Sequence, residues 1–194
     1  MLYIMRHGQT DWNVIHKLQG RTDIPLNDCG KSMAQKAAEE YKSVHFDICY
    51  CSPLVRAAET AEILLKGRNV PIIYDERLRE MSFGIYEGVE NSYDDEELPI
   101  NVLFRSPENY VEPVEGGESL ESLFKRTGEF LADKVYPLIR QNKNVLIVGH
   151  GTMNSSIVSR ILNLPISQFW SMGIENCKLM SLAINDNKEC DMYE

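Results

Sequence analysis

Asn144-Val145-Leu146-Ile147-Val148-Gly149-His150-Gly151 is the stretch that decides the fold. Four consecutive aliphatic residues without alternation read as a strand buried on both faces, and such strands belong to parallel sheets covered by helices. The run stops at glycine, and helical spacing follows through about Leu162. Working outward, Leu2-Tyr3-Ile4-Met5, Phe46 to Cys51 and Val70 to Tyr74 read as further strands, with a last one from Lys178 to Ile184. Between them the period becomes helical. From Asn27 to about Ser43, Met33, Ala34, Ala37, Ala38 and Tyr41 share one face, with Asn27 as N-cap. Ser52-Pro53 reads as an N-cap and first helical residue opening a helix to about Leu65. A long helix spans Ser119 to about Gln141, kinked or ended early by Pro137. Strands alternating with helices predict an α/β protein, a three-layer α/β/α sandwich around a mostly parallel sheet.

At 194 residues the chain is expected to form a single domain, 1–194, with roughly 70% of its unfolded surface buried. Between Phe83 and Pro113 the periodicity fails. Gly84, Gly88, the acidic run Asp94-Asp95-Glu96-Glu97 and three prolines mark a lid-like insertion at about 83–113, with some local helix, bordering a site. Twenty Lys and Arg against 29 Asp and Glu leave a net charge of -9, which argues against a nucleic-acid partner but not against a small anion held in a locally positive pocket. No stretch approaches the ~20 apolar residues of a membrane span. The start, Met1 to Arg6, is too short and too soon charged for a signal peptide, so a cytoplasmic protein is expected. The five cysteines are odd in number and lack paired CxxC spacing, which reads as small buried thiols in a reducing compartment.

Functional residues in open α/β sheets gather where strands end and helices begin. Here those points carry Arg6-His7-Gly8-Gln9-Thr10, Arg56, Leu78-Arg79-Glu80 and His150 between two glycines. Each alone has an ordinary explanation: a hydrogen-bonded core histidine, a surface arginine, a capping glutamate. Two histidines, two arginines and a carboxylate at one edge of a sheet are harder to dismiss together. His45, ahead of a strand, reads as structural or exposed, and His16 as an ordinary loop histidine.

The blocks carry a resemblance as well. Arg6 to Thr10 with Asp11-Trp12-Asn13, Gln19-Gly20, Asp23 and Pro25-Leu26 resemble the opening of the histidine phosphatase superfamily, which includes the cofactor-dependent phosphoglycerate mutases. Ser52-Pro53-Leu54 with Arg56-Ala57 and Thr60-Ala61 follow in that family's order. So do Leu78-Arg79-Glu80, Phe83-Gly84, Glu87-Gly88, Gly116-Gly117-Glu118-Ser119 and Val148-Gly149-His150-Gly151. The resemblance implies a phosphoglycerate mutase-like fold and a phosphohistidine intermediate on His7. It implies a phosphate clamp of Arg6, Arg56 and His150, the last protonated while phosphate is bound and flanked by Gly151, with Asn13 as a further donor. Glu80 corresponds to the proton donor.

These roles agree with physical need, since phosphoryl transfer asks for a positioned nucleophile and positive charge around the equatorial oxygens. Planar guanidinium forks suit phosphoryl oxygens. The nucleophile must attack as neutral imidazole, which requires a local acceptor for its other nitrogen. No HxxxH pair is present and carboxylates do not cluster near either histidine, so neither a metal nor another cofactor is expected. The reading is a metal-independent phosphatase of small phosphorylated metabolites. A phosphoglycerate mutase is the alternative, disfavoured by the chain's shortness for that branch and by an 83–113 segment whose only basic residue is Arg105. A non-catalytic phospholigand-binding domain is a third reading, opposed by the full set of site residues. A second copy in a homodimer remains open as a partner, and no segment identifies an interface.

Overall fold

The computed structural model describes residues 1–90, 92 and 95–184. Asp94 of the acidic run and Cys190 lie outside the described residues. Strands β1 (Leu2–Arg6), β2 (Ile48–Cys51), β3 (Ile72–Tyr74), β4 (Val145–Gly149) and β5 (Leu179–Leu182) form one sheet in the order β3-β2-β4-β1-β5. The first four are parallel, and β5 closes the edge antiparallel to β1.

Strand residues point alternately to opposite faces, which explains why the runs are apolar throughout. Leu2 and Ile4 of β1, with Val145 and Ile147 of β4, enter one core; Met5, Leu146 and Val148 enter the other. The helices are α1 (Asp11–Val14), α2 (Asp28–Glu40), α3 (Val55–Leu64), α4 (Asn101–Arg105), α5 (Leu120–Phe130), α6 (Tyr136–Arg140) and α7 (Gly151–Leu162). Leu123 and Phe130 of α5 and Met153 and Ile157 of α7 cover the first face. Ala34 and Ala37 of α2 and Ala57 and Ala61 of α3 cover the second, small side chains that let the two helices approach closely. The three-layer α/β/α architecture is therefore as the strand and helix alternation predicts. Asn27 caps α2, its Oδ1 accepting the Gly30 N–H at 2.8 Å.

The structure refines or changes the local readings at four points. α3 starts at Val55 with Leu54 as its N-cap, not at Pro53; the wholly buried Ser52 hydroxyl accepts the Leu54 N–H at 3.3 Å and bonds the His150 ring. The long helix is interrupted ahead of Pro137 and does not run as one α-helix to Gln141. Proline has no N–H to return to the carbonyl four residues back, and the chain passes through a π-helical segment, Leu131–Val135, before resuming as α6. The 83–113 segment is packed, with Ile100, Leu103 and Tyr110 in the first core. Its Asn101 side chain donates to Ser92 O at 2.7 Å. Cys49, Cys51 and Cys177 are buried thiols, but Cys29 is exposed, contrary to the expectation for all five. Among the described residues no helix is long and apolar enough to cross a membrane.

Candidate active site

β1 and β4 are neighbours in register, Arg6 opposite Gly149, so the residue after each pair leaves the sheet at the same end. Those residues are His7 and His150, whose rings stand 5.2 Å apart, tilted by 58°. Both are buried, at 3% and 0% exposure.

His7 Nδ1 lies 2.7 Å from Gly8 O. A carbonyl only accepts, so Nδ1 carries the proton and Nε2 keeps its lone pair. The acceptor that a histidine nucleophile requires is thus supplied by the next residue's own backbone. Burial, then the charges of Arg56 and Arg6, hold the His7 pKa well below the ordinary histidine range, keeping the ring neutral and nucleophilic. The Gly8 amide donates to Thr60 Oγ1 at 3.0 Å, and that hydroxyl donates to Arg56 O at 2.7 Å, linking the turn to α3.

His150 is anchored through the other nitrogen. Its Nε2 lies 2.7 Å from Ser52 Oγ, at the end of the adjacent parallel strand β2, and its Nδ1 is buried with no partner. Burial and the neighbouring Arg56, His7 and Arg6 charges push its pKa well down. The protonated form expected with phosphate bound must therefore draw on the charge of that phosphate.

Arg56, on the first turn of α3, is wholly buried. It donates to Gly20 O at 2.7 Å and Thr22 O at 2.9 Å, which fixes the plane of the fork. Burial pushes its pKa down to about 10, against the opposing charge of Glu80, so it stays cationic at neutral pH. Arg6 ends β1 and reaches Ile174 O at 3.4 Å. The Nε atoms of both arginines are buried without partners, which leaves donors for a further acceptor. Gly151 stands beside Arg6: a Cβ there would lie in ordinary contact with the guanidinium carbon, at 3.5 Å.

Glu80 follows a 3₁₀ turn at Glu76–Leu78 and is buried. Its Oε1 accepts the N–H groups of Met81 (2.8 Å) and Met153 (2.9 Å), and its Oε2 that of Thr152 (3.1 Å). The carboxylate thus sits on the N-terminus of α7, the helix that His150 precedes. Asn13 is placed differently from the others. It completes a capping box with Thr10, accepting Thr10 N–H at 3.0 Å and Thr10 Oγ–H at 3.1 Å, so only its NH₂ end is available to an anion.

Several residues that support this site were not singled out as site residues from sequence. Ser52 is one. Arg126 grips Glu118 through two bonds (2.8 and 2.9 Å) and donates to Arg79 O (2.8 Å) and Arg77 O, strapping the segment that delivers Glu80. Arg21 joins the same carboxylate at 3.3 Å and reaches Glu80 O at 3.4 Å. Glu87 binds Arg21 N–H, Thr22 N–H and Phe83 N–H. Gly20, at φ +51°, passes so close that a Cβ would strike that carboxylate at 2.1 Å. The signal available was the position of Ser52 at a strand end, one element from His150. His45 is exposed and pairs with Asp47 at 3.6 Å, outside the site.

Beside the clamp lies a cleft of about 570 Å³, lined by Arg6 and Gly151 together with Met33, Trp170, Ile174 and Glu175. Residues 170–176 wall this cleft, and its lining includes none of the 83–113 segment. The 83–113 segment contributes indirectly, since Leu103 O accepts the Trp170 indole N–H at 2.8 Å. Among the described residues no three His, Cys, Asp or Glu side chains gather as a metal-ligand set.

Residues 2–191 match the family model of the histidine phosphatase superfamily, branch 1. The chain is 35% identical over 153 residues to a 2,3-bisphosphoglycerate-dependent phosphoglycerate mutase of Cytophaga hutchinsonii, covering 78% of this chain and 72% of that one. It is 28% identical to phosphoserine phosphatase 1 of Hydrogenobacter thermophilus, over 96% of this chain and 88% of the relative. A mycobacterial glucosyl-3-phosphoglycerate phosphatase, solved in complex with VO3, superposes with a TM-score of 0.80 at 29% identity, over 92% and 90% of the two chains. With a model spanning nearly all 194 residues, and the two histidines and two arginines on adjoining strand ends, the chain belongs to the histidine phosphatase superfamily.

Proposed function

We propose that the protein is a metal-independent phosphatase of small phosphomonoesters, working through a phosphohistidine on His7 with Glu80 as proton donor. The observation that carries this reading is the His7 ring, locked by Gly8 O with Nε2 free, neutral, and flanked by two guanidinium groups. A nucleophile on N, positive charge around the transferred group and a carboxyl for the leaving oxygen are the parts that two successive displacements require. In the first, Nε2 attacks phosphorus, the P–O bond to the alcohol breaks, and Glu80 gives its proton to the departing oxygen. In the second, Glu80 takes a proton from water as that oxygen attacks phosphorus, the N–P bond breaks and phosphate leaves. Both lone pairs of Glu80 Oε1 are taken by N–H donors and one of Oε2 is free, which makes Oε2 the oxygen that carries the proton. Arg6, Arg56 and His150 supply donors to the equatorial oxygens, with the Asn13 NH₂ as a further one.

The test is phosphate release from a panel of phosphometabolites that includes 3-phosphoglycerate, in excess EDTA, with a His7→Ala control. EDTA-resistant release that vanishes in the variant is the expected result. Isomerisation of 3-phosphoglycerate primed with bisphosphoglycerate, with no net release, would replace the reading by a mutase. Silence in both assays would leave a phospholigand-binding domain.

A further inference from the structure

We infer that the cleft beside the clamp selects phosphomonoesters whose alcohol portion carries a protonated amine and no second anion, and that Glu175 determines this. The inference rests on the reading of Arg6, Arg56 and His7 as the phosphoryl site. Three bonds stitch the segment carrying Glu175 to the end of β1. Arg6 donates to Ile174 O (3.4 Å), Cys177 N–H donates to Arg6 O (2.9 Å), and the Asn176 amide donates to His7 O. The backbone on either side of Glu175, an exposed residue of the cleft lining, is therefore tied to the residues of the clamp.

The charges in the lining decide the ligand class. Arg6 is the cleft's one cation and Glu175 its one carboxylate. Arg6 belongs to the phosphoryl group, so the rest of a ligand meets no positive side chain in this lining. It meets a carboxylate that makes no ion pair or side-chain hydrogen bond with any described residue, and the apolar flanks of Met33, Ile174 and Trp170. The wall is stiff as well: Trp170 is held by the Leu103 carbonyl and stacked edge-on against Phe169, with ring centroids 4.8 Å apart. A carboxylate and an aromatic side chain lining one cleft fit an alkylammonium group, which gains from both, and the carboxylate repels a second acid.

The test is calorimetric binding of three phosphonates with equal stems to the full chain: 2-aminoethylphosphonate, propylphosphonate and 3-phosphonopropionate. Because none can be hydrolysed, the measurement does not depend on turnover. At low ionic strength the wild-type protein should bind the amine about threefold more tightly than the neutral analogue, and the carboxylate more weakly by a similar factor, the range of a solvent-accessible ion pair. Glu175→Gln should bring the three affinities together, and Glu175→Lys should reverse their order. The same order in the wild type and Glu175→Lys, tightest binding of the carboxylate by the wild type, or no binding of any phosphonate would overturn the inference. Phosphonate selectivity of the expected kind without release of phosphate from any ester would overturn the hydrolytic reading alone.

Discussion

The ends of β1 and β4 are neighbours of the same polarity, both delivering a buried histidine, yet the two rings are held in opposite senses. At the β1 end a carbonyl grips Nδ1, and because a carbonyl cannot donate, only one neutral tautomer fits. At the β4 end a serine hydroxyl grips Nε2, and a hydroxyl can donate or accept. The first arrangement leaves His7 Nε2 with its lone pair, which the proposed nucleophile requires. The second leaves Nδ1 as a buried atom without a partner, able to carry a proton whether the ring is neutral or charged. Two identical side chains thus acquire different chemistry from one neighbouring oxygen each.

The sharpest way to break this comparison is to delete each ring in turn. His7→Ala should abolish steady-state hydrolysis of every ester, by a factor on the order of 10⁴ or more, because no other group forms the covalent intermediate. His150→Ala removes one donor from the clamp and should lower kcat by about 10² to 10³ while leaving a measurable phosphoenzyme. Rapid-quench detection of acid-labile, base-stable phosphoprotein distinguishes them. Equal losses, with no phosphoenzyme in either, would erase the division of labour between the two strand ends.

Glu80 lies between these effects. Its carboxylate rests on the first amides of α7, so Glu80→Gln places an NH₂ against N–H donors and removes the transferable proton together. Turnover of alkyl phosphates should fall about 10² to 10⁴-fold. That of p-nitrophenyl phosphate, whose leaving group needs no proton, should fall far less. Equal losses on both esters would remove Glu80 from the proton-donor role.

Much of this site was legible in the sequence because parallel sheets collect polar residues at strand ends, and four such ends stood out against apolar runs. Arg6, His7, Arg56, Glu80 and His150 were readable for that reason. Ser52 was misread, since Ser-Pro before an apolar helix also matches an N-cap, and only the β2–β4 pairing shows that its hydroxyl faces His150. The Arg21–Glu118–Arg126 strap joins residues 97 and 105 positions apart at its ends, separations at which no local pattern operates. The Trp170 wall was missed because 170–176 has no periodicity and owes its place to bonds with β1 and Leu103.

Ser52→Ala sharpens the comparison by changing only the β4 side. Losing one hydrogen bond to the ring should reduce kcat/KM about fivefold to tenfold. The diagnostic readout is nitrogen NMR of the rings: His150 should move toward mixed tautomers while His7 stays protonated on Nδ1. A general loss of packing would disturb both rings, and an unchanged His150 spectrum would show that the serine does not set its proton.

The smallest effect is thermodynamic and treats the two ends alike. Both histidines have folded-state pKa values pushed well below the ordinary 6.5, chiefly by burial and then by Arg56. As pH falls below 6.5 the unfolded chain takes up protons at these positions and the folded protein does not, so stability rises with pH in this window and declines as pH drops. The limiting slope is about 1.4 kcal/mol per pH unit for each ring. Glu118 and Asp75, whose carboxyls are held low by Arg126 and Arg77, lose their contributions only near the ordinary carboxylate range, about two units lower. The interval from pH 6.5 to 5 therefore isolates the histidines. Urea unfolding across it should show a positive slope that decreases stepwise in His7→Gln and in the double variant with His150→Gln. A slope that survives the double variant would mean that the charge-excluding interior argued for both strand ends is not there.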